Sequence, residues 1–186
     1  MIIHFDKSNI NHIEAVLKLS RRNSFYYNDL HLSLKKDIPK DESLIKDINE
    51  KFNRNIDFDT YSRMMKDYIN DIPNLEGYLY TTISEKTGKN GICGFILGIM
   101  NVEVYTYLHY VLIDKDYRNK GYGSELINHF VNHSKKGFIE IKTERKELIK
   151  WYNKLGFFEN EAIEKVKNFF KIKSDKDYIY LYMIKT

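Results

Sequence analysis

The chain has 186 residues, of which 42% are hydrophobic and 30% are charged, and its 30 basic and 26 acidic side chains give a formal net charge of +4. This length suits one domain with its own core, and so mild a charge gives no reason to expect a nucleic-acid partner. The single cysteine excludes an internal disulfide, and no apolar run is long enough for a bilayer span or a secretory leader. We therefore expect one domain over residues 1–186, in the cytoplasm and without a membrane partner.

The first part of the chain predicts one strand followed by helices. Ile2 and Phe5 favour a short strand, and Ser8 or Asn9 supplies a capping oxygen for a helix whose apolar residues recur at helical spacing. Residues 25–76 keep a helical pattern until Pro73 interrupts it. Two or more short helices are expected there.

The pattern changes after residue 76, where β-branched and aromatic residues become frequent. In chain order, the sequence predicts strands over 78–84, 92–100 and 104–113, a helix over 121–133, a strand over 138–142, a helix over 146–155 and a strand over 178–184. The order β-α-α-β-β-β-α-β-α-β indicates an α/β fold of the mixed α+β kind, in which helices flank a central mixed sheet.

The strongest chemical pattern is the turn that joins the third of these strands to the next helix, with the sequence R-N-K-G-Y-G over residues 118–123. A helix start presents unpaired N–H groups and a partial positive charge, which suits a phosphate, and the two glycines leave its approach open. Lys115, Arg118 and Lys120 would add positive charge beside it. The spacing fits neither a nucleoside triphosphate P-loop nor a dinucleotide-binding fingerprint.

This turn resembles the signature of the GNAT superfamily of acetyl-CoA-dependent N-acetyltransferases, which is Gln or Arg followed by x-x-G-x-G or x-x-G-x-A after a strand. Two other segments resemble landmarks of the family: W-Y-N-K-L-G-F over 151–157 and G-I-C-G-F over 91–95. The resemblance covers residues 77–157 well and residues 25–76 hardly at all. It implies a GNAT-like sheet that is mostly antiparallel.

The resemblance also implies a binding site for acetyl-CoA. The pantetheine arm would pair with strand backbone, and the pyrophosphate would rest on amides of the turn and of the helix start. The residues assigned to the coenzyme in this way are Val111, Leu112, Ile113, Arg118, Asn119, Lys120, Gly121, Tyr122, Gly123, Ser124 and Arg145. Three positions depart from the family's frequent residues: Lys115 replaces a proline, Arg145 an asparagine and Leu148 an alanine.

Two side chains are candidates for proton transfer. Tyr152 matches the family's proton donor to the departing thiolate, and a buried packing tyrosine is the alternative. His109 is the leading candidate for the base, because it lies on the strand before the turn and an imidazole has an unperturbed pKa of about 6.5. Because side chains alternate along a strand, one face is expected to carry Tyr105, Tyr107, His109 and Val111.

Other assignments of the base stay open. A histidine on an apolar strand is often a satisfied core residue, and other family members use a glutamate near the position of Tyr107 or pass the proton through water. Glu103, at the entrance of the strand, is a weaker candidate.

No metal cofactor is expected. Glu125, His129 and His133 follow one another at four-residue spacing on a predicted helix, but no further cluster of ligand side chains accompanies them. Cys93 stands among apolar residues, where a small buried thiol is expected rather than a covalent acyl carrier.

Together these features predict an acyltransferase that moves the acetyl group of acetyl-CoA to a primary amine of a small molecule, peptide or protein by direct attack in a ternary complex. The alternative is a non-catalytic acyl-CoA-binding sensor or interaction module. The sequence identifies neither the acceptor amine nor the acyl-chain preference, and it leaves a homodimer open. Four tyrosines could line the acceptor side, with helix packing as the alternative role: Tyr26, Tyr27, Tyr61 and Tyr68.

Overall fold

The computed structural model describes residues 1–23, 69–83, 88, 90–102, 105–143, 145–169 and 178–186. The helices predicted between residues 24 and 68 lie outside the described residues, as do Glu103 and the four tyrosines considered for the acceptor side. The strands are β1 (Ile2–His4), β2 (Leu75–Ile83), β3 (Asn90–Val102), β4 (Tyr105–Ile113), β5 (Gly137–Thr143) and β6 (Ile179–Lys185). The helices are α1 (Ile10–Arg22), α2 (Tyr122–His133), α3 (Ile149–Lys154) and α4 (Glu161–Phe169).

The six strands lie side by side in chain order within one sheet. Every neighbouring pair is antiparallel except β4 and β5, which are parallel because α2 crosses over the sheet between them. The predicted fold class, a mixed and mostly antiparallel sheet flanked by helices, is confirmed. The predicted helix over 146–155 begins as a 3₁₀ turn, Lys115–Tyr117 forms a second such turn before α2, and α3 is the short α-helical part.

Helix α2 builds the core on one face of the sheet. Its buried Leu126 and Phe130 belong to one apolar cluster with Ile96 of β3 and Leu108 of β4. Gly98 of β3 makes room for this helix, because a Cβ atom at that position would stand 2.4 Å from the Phe130 ring. The close approach of α2 to the sheet therefore depends on a glycine.

Helix α1 contacts β3 and contributes buried side chains of its own, including Val16 and Leu19. Phe95 and Leu97 alternate with Ile96 along β3, so they point to the face opposite α2, and both are buried as well. The centre of the sheet thus carries apolar side chains on both faces.

Asparagine side chains cap two of the helices. Asn9 accepts a hydrogen bond from the Asn11 amide at 3.0 Å, as predicted for the start of α1. Asn160 accepts from the amides of residues 162 and 163, each at 3.1 Å, and so caps α4. Helix α4 is absent from the predicted element order, although Asn160 followed by Glu161 and Glu164 is a helix-start signal that could have revealed it.

A β-bulge interrupts β4 at His109. Tyr110 pairs with Leu97 of β3, whereas Leu108 pairs with Gly98, so β4 contains one residue more than its partner there. As a result Leu108 and Val111 pack against the same cluster, although an odd spacing would put them on opposite faces of a regular strand. The expectation that His109 and Tyr107 share a face with Val111 is therefore wrong.

Candidate functional site

Strands β4 and β5 run side by side only at their beginnings. The parallel register ends with Leu108 opposite Ile141, after which β4 continues to Ile113 along β3 and β5 continues along β6. Within the part of the chain that the structure describes, no strand pairs with residues 111–113 on the side facing β5. This edge offers backbone N–H and C=O groups to an extended ligand, as an exposed strand edge does.

The same edge leads directly into the glycine turn. Asn119 adopts a φ of 63°, and Gly121, with a φ of 84°, is the N-cap residue of α2. Both values lie in the left-handed region, which glycine adopts freely and asparagine tolerates better than most residues. Because Gly121 has no side chain to cap the helix, the first amides of α2 stay available to an anion.

The basic side chains of the turn are not equivalent. Arg118 turns back along β4, where its Nε donates to the Ile113 carbonyl at 3.0 Å and its Nη2 donates to Oδ1 of Asn23 at 3.2 Å. Lys120 lies with its Nζ 5.6 Å from the centre of the Tyr117 ring. The Arg118 guanidinium thus bonds β4 and α1, whereas the sequence predicts that it adds positive charge beside the amides.

The end of α1 fastens the turn from the other side. Arg22 Nη1 lies 2.9 Å from the carboxylate of Asp114, which is 2% exposed, and Nη2 bonds the carboxylate of Asp116. Asn23 Oδ1 also accepts a hydrogen bond from the Lys115 amide at 2.8 Å. Sequence reasoning missed these residues because the partners stand 92 and 94 positions apart and no local pattern joins them.

Helix α3 packs against the first turn of α2. Trp151 Nε1 donates to the hydroxyl of Ser124 at 3.0 Å, and a Cβ atom at Gly123 would lie 3.3 Å from the Trp151 ring. The glycine therefore has a second use besides access to the amides, because it lets the indole approach the helix. The family resemblance assigns Ser124 to the coenzyme, and in the structure its hydroxyl accepts a hydrogen bond from α3.

An aromatic pair anchors the same turn of α2 to β2. Tyr122 stacks on Tyr80 with ring centres 4.4 Å apart, and the Tyr80 hydroxyl donates to Glu125 at 2.7 Å. The Tyr122 side chain is thereby held on β2, so Tyr122 would contact an anion through its backbone amide.

Tyr152 lies in the apolar cluster on the α2 face of the sheet. The cluster includes Leu108 and Ile141, the last pair of the parallel register, and Tyr152 is only 4% exposed. Burial raises the pKa of the Tyr152 phenol, and the positive charge of Arg145 acts in the opposite direction. The phenol therefore stays protonated at neutral pH, as a proton donor must.

His109, the extra residue of the bulge, sits where the two strands begin to part. Its ring centre is 5.2 Å from that of Tyr107 and 4.0 Å from that of Tyr110, and its Nδ1 atom is buried. Of the two predicted proton-transfer residues, His109 thus lies in the bulge at the end of the parallel pairing, and Tyr152 lies among the buried residues of the α2 face.

Glu140 is a further chemical group beside this point that sequence reasoning missed. It is 4% exposed and pairs with Tyr107 across β4 and with Tyr182 across β6. Burial raises the pKa of the Tyr105 phenol, and the charge and hydrogen bonding of Glu140 raise it further. The sequence offers one signal for it, because Glu140 is an acidic residue inside the short strand predicted over 138–142. A carboxylate buried in such a strand needs polar partners, which marks the position as unusual.

Arg145 precedes α3 and is exposed. Its amide donates to Oγ1 of Thr143 at 3.1 Å, and its Nε donates to the Glu147 carboxylate at 2.9 Å. Its charge favours the ionised form of Tyr152, as noted above. The structure therefore links this residue electrostatically to the candidate proton donor.

Cys93 is buried, as expected, and burial together with the charge of Asp114 raises the pKa of its thiol to about 11. A thiol that stays protonated is a poor nucleophile. His133 Nδ1 lies 2.7 Å from the His129 carbonyl. Within the described ranges, no three His, Cys, Asp or Glu side chains are grouped so that they could hold a metal ion.

The sequence model of the "Acetyltransferase (GNAT) family" matches residues 42–157, which is more than half of the chain. The chain belongs to this family. Membership in the GNAT family, and with it in the acyltransferases, was predicted from the turn and is confirmed. In the described part of this GNAT protein, no helix is long and apolar enough to cross a membrane.

Individual relatives are more distant. An uncharacterized N-acetyltransferase of Methanocaldococcus jannaschii is 34% identical over 77 residues, and the match covers 39% of this chain but only about a third of that protein. The PaiA N-acetyltransferase from Thermoplasma acidophilum, solved in complex with coenzyme A, shares the fold with a TM-score of 0.56 and 14% identity over 99% of both chains. An aminoglycoside 6′-N-acetyltransferase complexed with coenzyme A has the same TM-score at 12% identity, over 99% of this chain and 96% of its own.

Proposed function

We propose that this GNAT protein transfers the acetyl group of acetyl-CoA to a primary amine by direct attack in a ternary complex. The observation that carries the proposal is the edge of β4 at residues 111–113 that no described strand covers, followed after the turn of residues 114–121 by the uncapped start of α2. Coenzyme A matches this arrangement, because its amide-containing arm can pair with the strand backbone and its pyrophosphate can accept hydrogen bonds from the helix-start amides. The two solved structures of similar fold that contain coenzyme A support the choice of ligand.

The coenzyme would bind mainly through main-chain groups. Its pantetheine amides would pair with β4 near Val111 and Ile113, and its pyrophosphate would accept hydrogen bonds from amides between residues 119 and 124. Lys120 lies within this turn and would add positive charge to the anion site, whereas the Arg118 guanidinium is bonded to β4 and α1. Arg145, near the opening on the β5 side, would act on the thioester end rather than on the pyrophosphate.

In the proposed reaction, the neutral amine nitrogen attacks the thioester carbonyl carbon and forms the C–N bond. The C–S bond then breaks, and the sulfur leaves with the electron pair as a thiolate that must be protonated. The amine loses one proton, for which His109 at the parting of the strands is the proposed acceptor. Tyr152 is the proposed hydrogen-bond donor to the sulfur, since burial keeps its phenol protonated.

A primary amine is proposed as the acceptor because the buried acidic side chain of Glu140 lies near the proposed base, His109. Glu140 is buried one pair before the end of the parallel register, in contact with the strand that carries His109. A buried carboxylate favours a cationic group nearby, and most primary amines approach in the protonated form. We also propose that residues 1–186 act as one domain, because β1 and β6, from the two ends of the chain, share one sheet.

Two measurements test the proposal. Calorimetry should detect coenzyme A binding, and hydrogen exchange should slow in its presence at the amides of Val111 and Ile113, which face the open edge, but not at the amide of Leu112, which pairs with β3. A thiol-release assay with acetyl-CoA and a panel of small amines, peptides and lysine-containing proteins should then detect turnover. Absence of binding would overturn the proposal, and binding without turnover by any acceptor would favour a non-catalytic acyl-CoA-binding module.

A further inference from the structure

We propose that Arg22 and Asn23, at the end of α1, are positioning residues that hold the turn of residues 114–121 in its anion-binding shape. The inference rests on the proposed coenzyme site and adds residues outside the family signature to it. Coenzyme affinity would then depend on α1 as well as on the turn itself.

Asn23 makes three hydrogen bonds with its side chain. Its Oδ1 accepts from the Lys115 amide at 2.8 Å and from Nη2 of Arg118 at 3.2 Å, while its Nδ2 donates to the Leu19 carbonyl at 2.8 Å. One end of the amide is therefore fixed to α1 and the other to two points of the turn. Arg118 in turn bonds the Ile113 carbonyl, which joins α1, the turn and the end of β4 in one network.

Arg22 fixes the turn at two further points. Its guanidinium bonds the buried carboxylate of Asp114 and the partly exposed carboxylate of Asp116. The backbone of Asp114 is also held by β3, because its amide donates a hydrogen bond to the Cys93 carbonyl at 2.8 Å. The 3₁₀ turn that follows is thus clamped at its start, before the chain reaches Asn119.

The clamp matters because the turn contains two residues with positive φ, Asn119 and Gly121. Such a segment populates several conformations when it is not held, and ordering it on binding would lower the affinity for the ligand. Contacts that order it beforehand remove that cost. Neither Arg22 nor Asn23 needs to touch the coenzyme to have this effect.

The test compares Asn23→Ala with wild type in calorimetry with coenzyme A and in steady-state kinetics with acetyl-CoA. We expect the Kd for coenzyme A and the KM for acetyl-CoA to rise about tenfold, because the turn must now be ordered on binding. The kcat and the acceptor KM should change little. Asn23→Asp keeps an oxygen for the Lys115 amide and for Arg118, so it should recover part of the affinity.

Lys185→Met is the matched control. Lys185 donates to the carbonyls of Val131 and Asn132, at 2.8 and 2.9 Å, and so caps α2 at the end far from the turn. Its loss should lower the melting temperature without changing the Kd for coenzyme A. Arg22→Ala should lower both the melting temperature and the affinity, since it also leaves the Asp114 carboxylate buried without its partner.

The possible results separate the two proposals. If wild type binds no coenzyme A, the proposed function fails and the positioning role fails with it. If wild type binds but Asn23→Ala and Arg22→Ala bind with the same Kd, only the positioning role is overturned. An equal loss of affinity in Lys185→Met would also overturn it, because the effect would then reflect general destabilisation.

Discussion

The indole nitrogen of Trp151 donates a hydrogen bond to the hydroxyl of Ser124 at 3.0 Å. This contact joins the helix that carries Tyr152 to the first turn of α2, where the pyrophosphate is proposed to bind. One side chain therefore connects the two ends of the proposed coenzyme site.

Trp151→Phe should weaken this connection. The lost hydrogen bond is worth about 1 kcal/mol of unfolding free energy, and the smaller ring leaves space beside Gly123. We expect both a lower kcat and a higher KM for acetyl-CoA, measured by thiol release. The reason is that the proposed contacts of Tyr152 with the sulfur and of the α2 amides with the pyrophosphate both shift. Ser124→Ala removes the same hydrogen bond but keeps the indole, so a full effect in Ser124→Ala would mean that packing of the indole is unimportant.

Tyr152→Phe should lower kcat by about 100-fold and leave the KM for acetyl-CoA nearly unchanged, because a proton donor acts in the transition state. Burial raises the pKa of the phenol, so its acid form persists to higher pH than that of a free tyrosine. The wild-type kcat should therefore show no alkaline decline from this residue up to about pH 9. A variant as active as wild type would remove Tyr152 from the mechanism.

Arg145→Met should reduce kcat through Tyr152. The charge of Arg145 lowers the pKa of the Tyr152 phenol, so its removal makes that phenol a still weaker acid. We expect a kcat loss of about threefold to tenfold, and no further loss when the substitution is made in Tyr152→Phe. Glu147→Gln is the control, because it breaks the ion pair with Arg145 but keeps the cation. Additive losses in the double variant would show that Arg145 acts elsewhere.

His109→Gln should lower kcat/KM by about 100-fold, since it removes the proposed proton acceptor. The measurement is kcat/KM for the best acceptor, followed by thiol release. His129→Gln is a suitable control, because His129 lies on α2 and contacts Tyr78 rather than the strand opening. A kcat/KM of His109→Gln close to that of wild type would assign the proton to water or another group.

Gly121→Ala should destabilise the turn, although the space around Gly121 is open. The cause is the φ of 84°, which costs an L-residue about 1 kcal/mol. Gly121→Asn should cost less because asparagine tolerates this conformation, and thermal unfolding with calorimetry of coenzyme A would compare the two. Equal stability and affinity in both variants would mean that tolerance of a positive φ does not govern this position.

The sequence predicted those parts of the site that depend on local patterns. The turn of residues 118–123, the helix α2 and the tyrosine of α3 follow from spacing and from glycines whose conformations are required. Arg22 and Asn23 could not be found in this way, because their partners are distant in the chain and the contacts depend on how α1 packs against the sheet. The bulge at His109 was missed for a related reason, since an extra residue in one strand is visible only against the register of its partner.

The extra residue in β4 makes position 109 sensitive to deletion in a way that differs from substitution. Removing one residue there would restore strict alternation, and Val111 and Ile113 would turn away from the α2 cluster that they now pack against. A substitution at position 109 leaves the backbone of β4 in place. A deletion there moves the side chains that follow to the opposite face of the sheet. Insertion and deletion libraries across β4 should therefore yield much less folded protein than a substitution library at position 109.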